Sequence, residues 1–320
     1  MGAKLQKIFE LHKFFCKIQS FFVPLQPQMK KIGIFDSGFG GLTILQSIRK
    51  VLPEYDYLYL GDAARAPYGT RSFEVIYEYT LQAVRYLQSQ GCRLIIIACN
   101  TASAKALRTI QQHDIDPDQL RVLGVIRPTV EAVTSQPAKP VKQPEGRAQH
   151  IGVLATPGTV SSESYVIELH KLNPDLHIVQ QACPMWVPLI ENNEKDSPAM
   201  DYFVKKYVDA LLAQDPAIDT IILGCTHYPL IQDKIENYLN SKLSNQTATL
   251  HSTLSTLNLI SQGEIVAESL KAYLSRHPEI DGDLSRTGRC DYLTTDIPEK
   301  FESSASLFLS EPIHATQVEL

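Results

Sequence analysis

The sequence predicts an α/β fold class: two similar halves with mainly parallel sheets flanked by helices. Three observations predict it. Short, wholly apolar runs of strand length alternate with amphipathic helical stretches from residue 31 onward. A strand that is apolar at every position is buried on both faces, as in a parallel sheet covered by helices. Two strand-end sequences recur at nearly one spacing. The 320 residues also suffice for two domains of roughly 150 residues each.

Residues 1–28 stand apart as an N-terminal extension. Lys4, Lys7, Lys13 and Lys17 oppose Glu10 alone, and Leu5, Ile8, Phe9, His12 and Phe15 fall near helical spacing. This predicts a short basic amphipathic helix, ended by Pro24 and Pro27. Lys13 and Lys17 interrupt the apolar stretch, which argues against a signal peptide. The segment is read either as dispensable, with Met29 as an alternative start, or as a regulatory or surface-binding helix.

Ile32–Phe35 is the first apolar run. The turn-prone Asp36-Ser37-Gly38-Phe39-Gly40-Gly41 follows, then helical spacing through Leu42, Leu45 and Ile48. Tyr55–Leu60 reads as a second strand ending at Gly61-Asp62, and a long helix lies near Phe73–Gln90. Leu94–Ala98 is the third strand, closed by Cys99-Asn100-Thr101 and a further helix. Residues 136–149 hold Pro137, Pro140 and Pro144 without periodicity, and read as a surface loop or linker. The strand pattern resumes at Ile151.

That resumption repeats the beginning. Ile32-Gly33-Ile34-Phe35-Asp36-Ser37-Gly38 resembles Ile151-Gly152-Val153-Leu154-Ala155-Thr156-Pro157-Gly158, 119 residues on. Ile95-Ile96-Ile97-Ala98-Cys99-Asn100-Thr101 resembles Ile221-Ile222-Leu223-Gly224-Cys225-Thr226-His227, 126 residues on. Each half therefore carries a cysteine at the same kind of strand end, where ligands of such folds bind.

The composition narrows the function. Hydrophobic residues make up 44% and charged residues 20%, which excludes a disordered chain or a collagen-like fibre. The net charge of −5 gives no basic footprint, so no nucleic-acid partner is expected. Apolar runs such as Leu94–Ile97 are far too short for a membrane span. The six cysteines (Cys16, Cys92, Cys99, Cys183, Cys225, Cys290) are widely spaced without a CxxC pair, so a reducing, cytoplasmic setting is expected rather than a disulfide framework.

A cysteine between a buried strand and a helix start lies near free N–H groups, which favours the thiolate. Three chemistries fit Cys99 and Cys225. A metal could take Cys99, Cys225 and His227, but no fourth ligand is evident and the spacing matches no zinc pattern. A Cys225 nucleophile with His227 as base leaves Cys99 unemployed. Two opposed thiols acting as acid and base would invert a stereocentre and employ both. The Asp36–Gly41 turn is neither a P-loop nor GxGxxG, yet its N–H groups suit a carboxylate. Asp36 is either a helix cap or a catalytic or ammonium-binding group. Pro67-Tyr68-Gly69 is either a plain turn or the source of a pocket hydroxyl.

At these residues the sequence resembles the glutamate racemases of the aspartate/glutamate racemase superfamily, from Met29 to about residue 309. The resemblance rests on Phe35-Asp36-Ser37-Gly38-Phe39-Gly40-Gly41-Leu42-Thr43, Pro67-Tyr68-Gly69, Ala98-Cys99-Asn100-Thr101-Ala102 and Ala155-Thr156-Pro157-Gly158-Thr159-Val160. It extends to Cys183-Pro184-Met185-Trp186-Val187-Pro188-Leu189-Ile190-Glu191, Gly224-Cys225-Thr226-His227-Tyr228-Pro229-Leu230 and Tyr292-Leu293-Thr294-Thr295-Asp296. It implies cofactor-independent racemisation of L-glutamate to D-glutamate for peptidoglycan biosynthesis, with no metal. Cys99 would act on D-glutamate and Cys225 on L-glutamate, assisted by Asp36, His227 and Glu191. Substrate contacts would come from Asp36, Ser37, Tyr68, Gly69, Asn100, Thr101, Thr226 and His227. The active site would lie between the domains, with the C-terminus returning to the first: 29–127 plus 233–320, and 128–232. A homodimer and a peptidoglycan-precursor activator are partners that the resemblance raises alongside glutamate. The chain departs from the family pattern at Arg127-Pro128-Thr129 and Ser261-Gln262-Gly263, where altered inter-domain packing or dimer contacts are expected. The alternatives are a racemase of aspartate or a hydantoin, a binding protein on a racemase fold, and a pyridoxal enzyme.

Overall fold

The first strand shows why the sheet forms. In β1 (Ile32–Asp36) every residue is buried, so no face is left for water. A computed structural model describes residues 30–135, 150–246, 257–309 and 311–320. The basic extension, 1–28, and the proline-rich stretch, 136–149, lie outside the described residues.

The first half runs β1, α1 (Gly41–Val51), β2 (Tyr57–Gly61), α2 (Phe73–Ser89), β3 (Leu94–Ile97), α3 (Asn100–Lys105), α4 (Leu107–His113), β4 (Arg121–Gly124) and α5 (Ile126–Ser135). The second runs β5 (His150–Ala155), α6 (Pro157–Ser161), α7 (Ser164–Leu172), β6 (His177–Ala182), α8 (Trp186–Glu191), α9 (Pro198–Gln214), β7 (Thr220–Gly224), α10 (Gln232–Gln246) and β8 (Asn258–Ile260). The chain then returns through α11 (Gly263–Arg276), α12 (Pro278–Asp281), β9 (Cys290–Thr294), α13 (Pro298–Ala305) and β10 (Ala315–Gln317).

Two sheets result, and the pairs β2-β1-β3-β4 and β6-β5-β7-β8 have the same order. Every strand pairing in both is parallel. The repeat read from sequence is thus a repeat of topology, with β3 beside β1 and β7 beside β5. The first sheet gains β9 and β10 along β2. Parallel strands need crossovers, and helices supply them over both faces. Leu42, Leu45 and Ile48 of α1 are buried in the same core as Val266, Ala267, Leu270 and Leu274 of α11.

The resemblance places residues 233–320 with the first domain, and within that range Asn258–Ile260 pairs with β7 in the second sheet. Three residues with an Asn at one end carry no readable strand period. Their role follows from pairing, since they complete the counterpart of β4. Among the described residues, no helix is long and apolar enough to cross a membrane.

Candidate active site

In both halves the loops that follow the strands turn toward one cavity of about 70 Å³. The first half lines it with Asp36, Ser37, Tyr68, Gly69, Cys99, Asn100 and Thr101. The second half lines it with Glu191, Cys225, Thr226 and His227. The structure thus brings together every residue singled out from sequence. A larger cleft of about 720 Å³ runs past Lys105, Arg108 and Arg127 but holds neither thiol. Both thiols line the smaller cavity.

Cys99 precedes α3 and caps it, its sulfur accepting from Ala102 N–H at 3.5 Å. Ser37 Oγ lies 3.4 Å from that sulfur. Asp36 is 1% exposed and accepts from Gly38 N–H at 2.9 Å. Burial raises the Asp36 carboxyl above its ordinary value, although the nearby His227 charge lowers it. Burial also pushes the Cys99 thiol up to about 12, and the Asp36 charge adds to the rise. This corrects the sequence argument for a thiolate here. One long N–H contact from a six-residue helix does not offset the loss of water and a neighbouring negative charge.

Cys225 stands in a different field. Its sulfur is 3.7 Å from His227 Nδ1, and His227 Nε2 is 2.9 Å from Glu191 Oε1. Burial opposes the imidazolium, but the bonds to Cys225 and Glu191 prevail and hold its pKa well above the ordinary histidine value. A histidine held toward its protonated form therefore sits beside this sulfur. Gly40 permits the approach, because a Cβ there would lie 2.4 Å from His227 Nδ1.

Other contacts join the halves. Gly158 N–H donates to Gly69 C=O at 2.7 Å. The Thr101 and Thr156 hydroxyls are 2.9 Å apart. Tyr68 lines the cavity, and its hydroxyl donates to buried Asp62, which also accepts from Thr295 Oγ1 at 2.8 Å. The N-cap position of α1 is Gly40, which has no side chain to cap it, while the Asp36 carboxylate takes the Gly38 and Gly41 N–H groups at the start of the helix.

Sequence reasoning did not single out Thr156, Pro157, Cys183, Pro184, Val187 or Pro188, which also line the cavity. The repeat held a signal for Thr156, since it stands in register with Ser37. Among the described residues, no group of three or more His, Cys, Asp or Glu side chains is arranged to hold a metal ion.

Comparison with known proteins agrees with this arrangement. The Asp/Glu/Hydantoin racemase family profile matches residues 42–254. A glutamate racemase of Ruegeria sp. (strain TM1040) is 41% identical over 283 residues, 88% of this chain and 97% of that protein. The crystal structure of Francisella tularensis glutamate racemase, solved with D-glutamate, superposes with a TM-score of 0.75 at 31% identity, covering 91% of this chain and 98% of that one. The Escherichia coli glutamate racemase, solved with L-glutamate and the activator UDP-MurNAc-ala, shares the fold at a TM-score of 0.63 and 22% identity, over 89% of this chain and 97% of that one. The chain therefore belongs to the Asp/Glu/hydantoin racemase family and, within it, to the glutamate racemases.

Proposed function

We propose that this cavity interconverts L- and D-glutamate without a cofactor, using Cys99 and Cys225 as opposed acid and base. The observation that carries the reading is that two strand-end thiols, one from each half, line a single cavity. Starting from L-glutamate, a Cys225 thiolate takes the Cα proton and becomes a thiol. The electron pair left on Cα takes a proton from the Cys99 thiol on the opposite face, leaving a Cys99 thiolate. The reverse sequence starts from D-glutamate.

The surroundings suit these roles. The imidazolium of His227 favours negative charge on Cys225, while burial and Asp36 keep Cys99 protonated. Such a resting state is poised for L-glutamate, with a base on one face and an acid on the other. N–H groups of the Asp36–Gly41 turn, with the Thr101 and Thr226 hydroxyls, are proposed to hold the substrate carboxylates. The product would serve peptidoglycan synthesis, in the cytoplasm.

The test is racemisation of L-glutamate and L-aspartate, side by side, in protein shown spectroscopically to be free of pyridoxal. The expected result is rapid loss of optical activity with glutamate and little with aspartate. A preference for aspartate, or a requirement for pyridoxal, contradicts the reading.

A further inference from the structure

A buried polar network lies beneath the cavity, centred on Gln262, which is 2% exposed. Its Oε1 accepts from Asn100 Nδ2 at 2.5 Å. Its Nε2 donates to the Tyr165 hydroxyl at 2.8 Å and to Thr129 Oγ1 at 2.9 Å. The Tyr165 hydroxyl donates onward to Asn100 Oδ1 at 2.8 Å. The Thr129 hydroxyl donates to the Val125 carbonyl at 2.7 Å. The short bonds close a ring through Asn100, Gln262 and Tyr165, and longer bonds run from Gln262 Nε2 back to Asn100 Oδ1 at 3.3 Å and to the Val125 carbonyl at 3.4 Å. Each amide fixes the orientation of the other, because reversing either one would set donor against donor.

The ring touches a neighbour of each thiol. Asn100 follows Cys99 directly and opens α3 in the first half. Tyr165 belongs to α7 in the second half, and its ring lies 3.2 Å from where a Cβ on Gly224 would stand, just before Cys225. Gln262 itself occupies the crossing from β8 to α11, where the chain passes from one sheet to the other. Thr129 and Gln262, 133 residues apart in the chain, bond each other here.

We infer that Gln262 is a positioning residue that sets the spacing of the two thiols. It locks the strand end bearing Cys99 to the helix that backs the strand end bearing Cys225. The inference rests on the two-thiol reading above. Inversion needs both sulfurs at proton-transfer distance from one carbon, on opposite faces. A displacement of about 1 Å in such a geometry costs roughly 100-fold in rate. Abstraction needs only one sulfur in place, so loss of spacing should harm inversion more than exchange.

The experiment compares the full-length protein with Gln262→Leu, which keeps bulk and removes the polar ring, and with Tyr165→Phe, which removes one hydroxyl. In D₂O, racemisation of L-glutamate is followed by optical rotation, and loss of the Cα hydrogen from the remaining L-glutamate by proton NMR. Gln262→Leu should slow racemisation about 10- to 100-fold while exchange falls less, so that exchange relative to racemisation rises several-fold. Tyr165→Phe should move the ratio in the same direction by less. A constant ratio, with both rates falling together or neither falling, overturns the inference. If Gln262→Leu does not fold, Tyr165→Phe decides by the same ratio. Failure of the underlying reading looks different: the Cys99→Ser variant would racemise as fast as the unmutated protein, and that outcome overturns both.

Discussion

The two sides of the cavity share a topology and differ in charge. Cys99 and Cys225 each follow the third strand of a half whose strand order is the same. Yet Cys99 faces Asp36 and Ser37, whereas Cys225 faces His227 backed by Glu191. In the repeat, Asp36 is matched by Ala155, so the second half lacks the carboxylate at that strand end and brings Glu191 from α8 instead. The repeat thus carries two thiols with unlike neighbours, a carboxylate beside one and a histidine backed by a carboxylate beside the other. On the proposed mechanism, a proton relay through Cα needs one thiol and one thiolate.

The comparison breaks most severely if a sulfur is removed. Cys99→Ser and Cys225→Ser should each lower racemisation at least about 1,000-fold, because a hydroxyl is a poor base at neutral pH. Full activity in either would refute the two-base account. Next in size is loss of the cation beside Cys225. His227→Asn should cost about 100-fold in racemisation rate, the scale of removing one preorganised charge stabiliser. Asp36→Asn tests the other side. Removing that charge should bring the Cys99 titration down from about 12, read by thiolate absorbance in a Cys225→Ser background. An unchanged or higher titration would show that Asp36 does not act on Cys99.

Glu191→Gln probes the link between Glu191 and His227. Without the carboxylate, the imidazolium loses a stabilising partner, and its pKa should fall back toward 6.5. If the imidazolium supports the Cys225 thiolate, the alkaline limb of the pH profile of kcat/KM should move to lower pH, with a loss of about ten-fold at its former optimum. The smallest effect concerns stability. Cys99 has an ordinary value of 9.0 and a folded value of about 12. Between these the unfolded chain loses a proton that the folded one keeps, so stability is full below about 9 and falls as pH rises. Each such proton contributes a slope of about 1.4 kcal/mol per pH unit. Cys92, raised to about 12, and Cys290, raised to about 11, add slopes of the same sign. Denaturant unfolding of Cys99→Ser should therefore show a shallower alkaline decline than the parent, with the rest of the slope retained.

Much of this was legible in the sequence. The strands β1, β3, β5 and β7 were readable because burial on both faces leaves an unbroken apolar run. The cavity was readable because the residues after those strands follow in chain order beside each cysteine. What escaped was set by pairing over long distances. The short β8 has meaning only beside β7. The ring around Gln262 joins positions 65 to 162 residues apart, which no local pattern reports. The ionisation of Cys99 also escaped, because a helix start predicts thiolate while burial and Asp36, known only from the fold, predict thiol.

The central claim is that two different sulfurs serve the two faces of Cα. Its most direct test is early conversion of L-glutamate in D₂O. Opposed thiols predict D-glutamate carrying solvent deuterium at Cα, while the remaining L-glutamate stays largely unlabelled. A single shared base would return the substrate's own hydrogen to the product or label both enantiomers alike, and either result would contradict the account.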